Sequence, residues 1–401
     1  MSHLGQPITR FEGSAKVTGT ARFAGDQTLP GQLYAVFVGA TVPAGQVMAI
    51  DAGRALDMPD VVHVLTPADM PRVHPALDGI SVPSLATRFL PMQTDEIVHE
   101  GQAVAIVLAD SLEAAEAGAG AVRVSYRRTA FTDPETAPAE APDPNKGNYS
   151  KSGPLDFRKG NADAAIAGAP VRAGGGYSQP SRHANPMEPS AILAAWEGDR
   201  LTVYDAVQHL PAVQAALAAV FGIAASQVRV VSPHTGGGFG VKAFVWPHEI
   251  LASMAAKVVR RPVKLVLSRQ QMYAMVGPQP QMTQEVRLGA SPDGKLLGIR
   301  HDVANVTGVT DDYVEFGSAG PVLLCLRRHR NQPGGPARPH DAADLHALAL
   351  GRAWLLCARL GDGRADPGAE RGPARLAPRQ LRRNGPGERQ ALVVEGAARG
   401  L

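Results

Sequence analysis

The glycine-rich segment at residues 233–242, with the sequence PHTGGGFGVK, carries most of the chemical information in this chain. It follows an apolar run, Val228–Val231, that predicts a buried strand, and it precedes residues 244–259, whose apolar spacing predicts a helix. Glycine costs conformational entropy on folding, so four glycines among residues 236–240 indicate a backbone that must closely approach another group. We therefore expect backbone N–H groups at a helix N-terminus, where anionic oxygens are stabilised.

The spacing of these glycines excludes the common nucleotide loops. A dinucleotide-binding fingerprint needs a third glycine where the chain has Val241, and a phosphate loop needs a glycine directly before Lys242. The alternative for the loop taken alone is a tight turn that packs a helix on a strand.

Two further motifs precede the loop. HANPMEP runs from His183 to Pro189, and the predicted strand 201–207 ends just before Gln208. An alanine-rich helix, predicted at 211–221, is closed by Gly222. In this order, with the VRVV strand and the GGGFGxK loop, the series resembles the molybdopterin-binding large subunit of the xanthine dehydrogenase and aldehyde oxidase family. The resemblance covers residues 7 to about 320.

The resemblance implies a set of cofactor-binding residues. The family's counterpart of Gln208 donates a hydrogen bond to an oxo ligand of molybdenum, and the loop contacts the cofactor by backbone N–H groups. It therefore predicts a molybdenum–molybdopterin site that involves Gln208, Gly237, Gly238, Phe239 and Gly240, with no side chain bound directly to the metal. No catalytic residue is assigned, because the family's base, a glutamate far downstream, has no counterpart here.

The resemblance also implies an activity and partners. The family's large subunits hydroxylate an aldehyde or an N-heterocycle, small-molecule substrates, with water as the oxygen source. Electrons leave through iron–sulfur clusters and FAD, which here would belong to an iron–sulfur subunit and an FAD subunit of the same complex. At Ala243 the chain departs from members that carry a substrate-contacting glutamate after the loop lysine, which favours aldehydes over purines.

Each of these residues also has a purely structural interpretation. Gln208 can cap a strand end, and Phe239 can be a core aromatic instead of a wall of the site. Lys242 can pair with a cofactor phosphate or be a solvated lysine at a helix start. His183 and Glu188 flank two prolines at a spacing that offers no ligand face, so we expect structural hydrogen bonds from them and no bound metal.

Strand and helix patterns divide the chain into four segments. We expect an α+β fold with an α/β hammerhead domain at 7–128, a linker at 129–169 that contains five prolines, and the first part of a molybdopterin-binding domain at 170–320. Ser111 is expected to cap a helix within the first domain. Residues 321–401 form a tail that we do not expect to fold natively.

The tail has an unusual composition. Residues 321–401 hold 14 Arg, 11 Gly and 8 Pro but no Ser, Thr, Lys, Ile, Met, Phe or Tyr, which is unlike a disordered segment rich in Ser and Lys. Translation of a GC-rich gene in the wrong frame accounts for this list, and shifting chosen codons by one base yields stretches that resemble the family's next segments. We therefore predict a frameshift near Pro321 and an inactive chain as written. The alternative hypothesis is a non-catalytic remnant that keeps only its fold and a subunit-docking surface.

Composition argues against several other classes of protein. The two cysteines, Cys325 and Cys357, are too few for an iron–sulfur cluster. Although residues 321–401 carry a net charge of +7, Trp354 is their only aromatic residue, so we expect no nucleic-acid binding. No signal peptide and no run of 18 apolar residues is visible, so the sequence predicts no membrane association and a cytoplasmic location.

Overall fold

The computed structural model describes residues 7–73, 87, 89–131, 160–310 and 392–395. These residues fall into two compact units: the first draws on residues 7–131 and 183–279, and the second on residues 160–182 and 280–308 together with 392–395. Both units combine helices with mixed or antiparallel sheets, which confirms the expected α+β class.

The first unit contains two sheets. Its strands and helices, in chain order, are α1 (Gly13–Val17), β1 (Leu33–Gly39), β2 (Gly45–Asp51), α2 (Gly53–Leu56), β3 (Val61–Leu65), β4 (Glu96–Ile97), β5 (Ala103–Ala109), α3 (Leu112–Ala121) and β6 (Arg123–Arg128). After residue 183 the unit continues with β8 (Ala191–Glu197), β9 (Arg200–Asp205), α5 (Leu210–Phe221), β10 (Val228–Val231), α6 (Pro247–Val259), β11 (Val263–Val266) and α7 (Arg269–Met275). The larger sheet has the order β10-β9-β8-β11-β1-β5-β3, and the smaller one β4-β2-β6.

The larger sheet joins the two segments that the sequence assigned to separate domains. β1 pairs in parallel with β11, with Leu33 opposite Val263 and Ala35 opposite Leu265. One apolar core covers this sheet, and its fully buried members include Leu33, Ile106 and Ile192 from the strands and Ile250 from α6. The compact units therefore do not coincide with the predicted segments 7–128 and 170–320, because backbone pairing between β1 and β11 crosses the predicted boundary.

The second unit consists of a four-stranded antiparallel sheet and one short helix. Its elements are α4 (Ala162–Ala167), β7 (Val171–Gln179), β12 (Met282–Ala290), β13 (Leu296–Asn305) and β14 (Leu392–Glu395), in the sheet order β13-β12-β7-β14. β12 and β13 form a hairpin, closed by a turn in which the Ser291 N–H donates to the Lys295 carbonyl at 2.9 Å. α4 lies within the segment predicted as a linker, where Asn161 caps it by accepting from the Ala164 N–H at 3.0 Å.

Most of the predicted tail lies outside the described residues. The exception is β14, whose backbone pairs antiparallel with β7, with Leu392 opposite Gly175. The sequence analysis did not predict this strand, although its Leu-Val-Val run has high β-propensity. The remaining linker residues, 132–159, also lie outside the described part.

Local signals set several element ends as expected. The Ser111 hydroxyl accepts from the Ala114 N–H at 3.2 Å and caps α3. Gly222 adopts φ +63° and ends α5 in the left-handed conformation that glycine tolerates. The end of α5 therefore follows from one residue type.

A glycine at the start of β5 makes a testable contact within the first unit. Gly101 has φ +79°, and a Cβ built on it would lie 2.3 Å from the Cβ of Ala274 in α7. We expect Gly101→Ala to lower the free energy of unfolding by about 2–4 kcal/mol, from backbone strain and from overpacking. Urea denaturation measures this change.

The matched control is Gly120→Ala in α3, where an added Cβ meets no heavy atom within 4 Å. This control should change stability by no more than about 1 kcal/mol, in the stabilising direction. Adding Ala274→Gly to Gly101→Ala should recover the steric part of the loss only. Equal effects of the two glycine substitutions would contradict the contact.

Candidate functional site

The glycine loop connects β10 to α6 by way of a short turn. Val241–Ala243 form one 3₁₀ turn, and α6 begins only at Pro247. Proline is favoured in the first turn of a helix, and the Glu249 carboxylate accepts from the Trp246 N–H, so the helix start is fixed there. The expectation that the loop N–H groups stand at the N-terminus of a helix from 244 to 259 is therefore wrong.

The loop and Gln208 meet as the sequence predicted. Gln208 Oε1 accepts from the Gly240 N–H at 3.1 Å, and the Gln208 N–H donates to the Lys242 carbonyl at 2.8 Å. A Cβ built on Gly238 would lie 2.2 Å from Gln208 Oε1, so any side chain at that position would displace the Gln208 side chain. The close approach that the glycines indicated is the approach of the loop backbone to this side chain.

This contact also determines which groups stay available for a ligand. Because Oε1 accepts from Gly240, the Nε2 amide of the exposed Gln208 is the donor that remains, and no described residue accepts from it. The Gly240 N–H, which we expected to be open to a ligand, is used by Gln208 instead. No described residue accepts from the Phe239 N–H.

Phe239 is an exposed aromatic side chain. It has φ +53°, which is uncommon for a residue with a side chain, and it is 74% exposed. Its ring edge lies near Gly237 and Pro186: a Cβ built on Gly237 would be 3.2 Å from Phe239 Cε2 and from Pro186 Cβ. Phe239 is therefore not a core aromatic.

Lys242 takes neither of the two roles considered for it. Its side chain is 2% exposed and forms an ion pair with Glu188, with Nζ 2.9 Å from Oε2. Nζ also donates to the Glu188 carbonyl at 3.0 Å. A buried lysine that is paired with a carboxylate within the protein is neither a solvated helix-start residue nor a ligand for a phosphate.

Glu188 forms the structural hydrogen bonds expected of it. Its Oε2 accepts from the Gly236 N–H at 2.7 Å, and its own N–H donates to the Gly236 carbonyl at 3.1 Å. His183 makes an edge contact with the Tyr273 ring at 4.7 Å, and burial lowers the pKa of its imidazole.

A group of buried ionisable side chains lies beneath the loop, and sequence reasoning missed it. Asp205 ends β9, while His248 and Glu249 lie in the first turn of α6. Burial raises the pKa of Asp205 to about 7, and burial together with Asp205 raises the pKa of Glu249 well above its usual value. Burial and the nearby Lys242 lower the pKa of His248 to about 3. Single acidic residues at element ends are ordinary in sequence, so no pattern signalled their proximity.

Arg269, at the start of α7, holds the HANPMEP segment and was also missed. Its guanidinium donates to Asn185 Oδ1 at 3.0 Å, to the Pro186 carbonyl at 2.6 Å and to the Met187 carbonyl at 3.1 Å. Asn185, at φ +51°, donates in turn to the Tyr273 hydroxyl at 2.9 Å. This network fixes the motif beside Pro186 and Gly237.

Two kinds of feature are absent from the described residues. Among them, no group of three or more His, Cys, Asp or Glu side chains is arranged to hold a metal ion. No helix within those ranges is long and apolar enough to cross a membrane.

Two family models match consecutive parts of the chain. Residues 18–130 match the a/b hammerhead domain of aldehyde oxidase and xanthine dehydrogenase, and residues 142–321 match the molybdopterin cofactor-binding domain. The chain belongs to the molybdopterin-binding large subunits of the xanthine dehydrogenase and aldehyde oxidase family. Both domain types were expected in this order from the sequence motifs.

Relatives within the family are similar over the same part. The chain is 32% identical over 309 residues to the aldehyde oxidoreductase molybdenum-binding subunit PaoC of Escherichia coli strain K12, over 75% of this chain and 39% of that protein. It is 31% identical over 319 residues to the carbon monoxide dehydrogenase large chain of Hydrogenophaga pseudoflava, over 74% of this chain and 39% of that one. The chain therefore spans about two fifths of the length of these relatives.

Solved structures share the fold. The aldehyde oxidoreductase of Desulfovibrio gigas matches with a TM-score of 0.60 at 20% identity, over 87% of this chain and 46% of that chain. The CO dehydrogenase of Oligotropha carboxidovorans matches with a TM-score of 0.59 at 23% identity, over 75% of this chain and 39% of that one.

The contact between Gly238 and Gln208 can be tested by substitution. We expect Gly238→Ala to displace the Gln208 side chain and lower the free energy of unfolding by about 1–3 kcal/mol, because the new Cβ has no room. Combining it with Gln208→Ala should recover most of this loss. Urea denaturation of the variants measures both effects.

The control is Gly176→Ala, where an added Cβ meets nothing within 4 Å. If Gly238→Ala left stability unchanged, or if the double variant showed no recovery, the close contact between the loop and the Gln208 side chain would be contradicted.

Asp205 should make stability depend on pH. Its pKa is raised from 3.8 to about 7 in the folded protein, so folding takes up a proton between these values. The stabilising effect of the neutral carboxyl is fully present below about pH 4 and is lost as pH rises to 7. Asp205→Asn removes this titration. The free energy of unfolding of the variant minus that of the natural protein should therefore increase by a few kcal/mol between pH 4 and pH 7, the order of magnitude expected from this pKa shift.

Chemical denaturation at several pH values tests this expectation, with Asp199→Asn in the exposed turn between β8 and β9 as the control. A difference between the Asp205 variant and the natural protein that is constant from pH 4 to 8 would be inconsistent with a buried carboxyl that titrates near 7.

Proposed function

We propose that the glycine loop and Gln208 form one side of a molybdenum–molybdopterin site in a hydroxylase large subunit. The observation that carries this proposal is the bond from the Gly240 N–H to Gln208 Oε1, because it leaves the amide Nε2 of an exposed side chain as a donor. A neutral donor of this kind suits an oxo ligand, and membership of the family supports the assignment.

The chemistry of the glycine loop and Gln208 fits a molybdenum–molybdopterin group. Gly238 lies so close to Gln208 that a side chain at 238 would fill the space that the glutamine occupies. The Phe239 N–H adds a second donor on the loop, and the exposed Phe239 ring is suited to form a wall of the site. Gly237 and Gly240 adopt φ near +100°, a backbone conformation that residues with side chains rarely adopt.

The molybdenum group, when bound, supplies the two-electron redox chemistry of a hydroxylase. This chain's contribution is to hold and orient the group: Gln208 donates from Nε2, and the loop donates from its backbone. We propose an aldehyde or an N-heterocycle as the substrate class, with aldehydes favoured. The residue after Lys242 is Ala243, whose methyl group offers no charge or hydrogen bond to a purine.

Partner chains follow from the same proposal. The chain has two cysteines, too few to ligate an iron–sulfur cluster, so electron transfer would proceed through an iron–sulfur subunit and an FAD subunit. The molybdenum-binding subunits to which the chain is similar support this arrangement.

The composition of residues 321–401 supports a second proposal, which concerns the activity of the chain as written. A tail with 14 Arg and no Ser, Thr or Lys fits translation in the wrong frame, so we propose that the chain as written is inactive and serves at most as a non-catalytic remnant. A cofactor site that lacks some of its hydrogen-bond donors leaves oxygens of the anionic cofactor without hydrogen bonds, and each such group costs about 1–3 kcal/mol.

The decisive experiment compares the chain as written with a version in which the frame is corrected by one base near codon 321. We expect stoichiometric molybdenum and aldehyde-dependent dye reduction from the corrected version, produced with its partner subunits, and neither from the chain as written. Within the corrected version, Gln208→Ala should lower the rate of dye reduction by about 10²-fold or more, the scale observed for the loss of one preorganised donor.

Gln46→Ala is the matched control, because Gln46 is an exposed glutamine on β2 that contacts Arg127. Full activity of the chain as written would overturn the frameshift proposal. Full activity of the Gln208 variant would overturn the assignment of the site.

A further inference from the structure

One carboxylate oxygen holds the glycine loop at both of its ends. Glu188 Oε2 accepts from the Gly236 N–H at 2.7 Å and from Lys242 Nζ at 2.9 Å. Lys242 Nζ also reaches the Glu188 carbonyl at 3.0 Å, so the ammonium is bound at two points of one residue. Gly236 opens the glycine run and Lys242 follows its end, so the loop is closed around Glu188.

The same segment fixes Gln208, although Glu188 is not itself hydrogen-bonded to it. The Lys242 carbonyl accepts from the Gln208 N–H at 2.8 Å, and the Gly240 N–H donates to Gln208 Oε1 at 3.1 Å. The Thr235 hydroxyl donates to the Val207 carbonyl at 3.0 Å, which ties the start of the loop to the chain before Gln208. The position of Lys242 therefore sets two hydrogen-bonding partners of Gln208.

Burial makes this ion pair dependent on both partners. The Lys242 side chain is 2% exposed and that of Glu188 is 10% exposed. Glu188 Oε1 is buried without a hydrogen-bond partner among the described residues, so every hydrogen bond of this carboxylate passes through Oε2. Removing one partner of such a pair leaves an uncompensated buried charge, whereas replacing both partners does not.

We infer that Glu188 and Lys242 are positioning residues for the cofactor site: their ion pair sets the loop geometry that aims the Gln208 amide outward. The identity of what Gln208 binds rests on the proposed function, but the positioning role does not. The HANPMEP motif therefore contributes to the site indirectly: its glutamate fixes the conformation of the loop without contacting a ligand.

Hydrogen exchange of the full chain, followed by NMR on ¹⁵N-labelled protein, separates positioning from general stability. The variants are Glu188→Gln, Lys242→Met and the combination of both, and the amides observed are those of Gln208 and Gly240. We expect both single substitutions to speed exchange at these two amides at least ten-fold more than at amides within β10 and α6.

The combined variant is the sharper test. It removes both buried charges, so it should recover much of the global stability lost in the single variants, as measured in urea. Exchange at Gln208 and Gly240 should nevertheless remain fast, because the ion pair between Glu188 and Lys242 is still missing. A merely structural ion pair would instead restore exchange and stability together.

Arg261→Met is the matched control, since it breaks the Arg261–Asp110 ion pair of 2.8 Å, which is exposed and lies in the same compact unit. It should leave exchange at Gln208 and Gly240 unchanged. Uniform acceleration at all amides, or none at Gln208 and Gly240, would overturn the inference. If Glu188→Gln is the only variant that folds, hydrogen exchange at the Gln208 and Gly240 amides of that variant decides the question.

A molybdenum assay of the frame-corrected chain keeps the two proposals distinguishable. Absence of the metal from every version would refute the proposed function, while selective exchange at Gln208 and Gly240 would still establish the positioning role. Equal metal content in the corrected chain and its Lys242→Met variant, together with unchanged exchange, would refute the positioning role alone.

Discussion

The ion pair between Glu188 and Lys242 is the interaction on which the candidate site depends. A loop with four glycines has little intrinsic preference for one conformation, so it must be held by contacts from outside itself. A charge-assisted hydrogen bond from the Gly236 N–H and a buried ammonium provide these contacts at one carboxylate oxygen. The low dielectric of the surroundings strengthens both bonds and makes them costly to lose.

The larger sheet is what brings this carboxylate to the loop. Glu188 precedes β8, Gln208 follows β9 and the loop follows β10, and these three strands are neighbours in the sheet. β9 and β10 are parallel, so the residues after each of them emerge at the same edge. The antiparallel β8 starts at that edge, which places the HANPMEP segment beside both. Strand order and direction thus assemble the site from three separate parts of the sequence.

Buried charge beneath the loop gives this region an unusual electrostatic character. Lys242 has Glu188 as a direct partner, while burial raises the pKa values of Asp205 and Glu249 and thereby favours their neutral forms. Two carboxyls that are buried near each other cannot both ionise cheaply, so protonation compensates for the missing counter-charge. The loop therefore lies above a region whose charge state depends on pH within the physiological range.

The sequence by itself determined the fold class, the order of the two domains and the pairing of Gln208 with the glycine loop. Apolar periodicity located β9, α5 and β10, and Ser111 and Gly222 marked helix ends, because these signals depend on residues that are close in the chain. Tertiary structure alone decided the roles of Lys242 and the Gly240 N–H. Their partners, Glu188 and Gln208, are separated from them by dozens of residues, and only the sheet order brings them together. For the same reason no local pattern indicated that β1 and β11 join the two segments into one sheet.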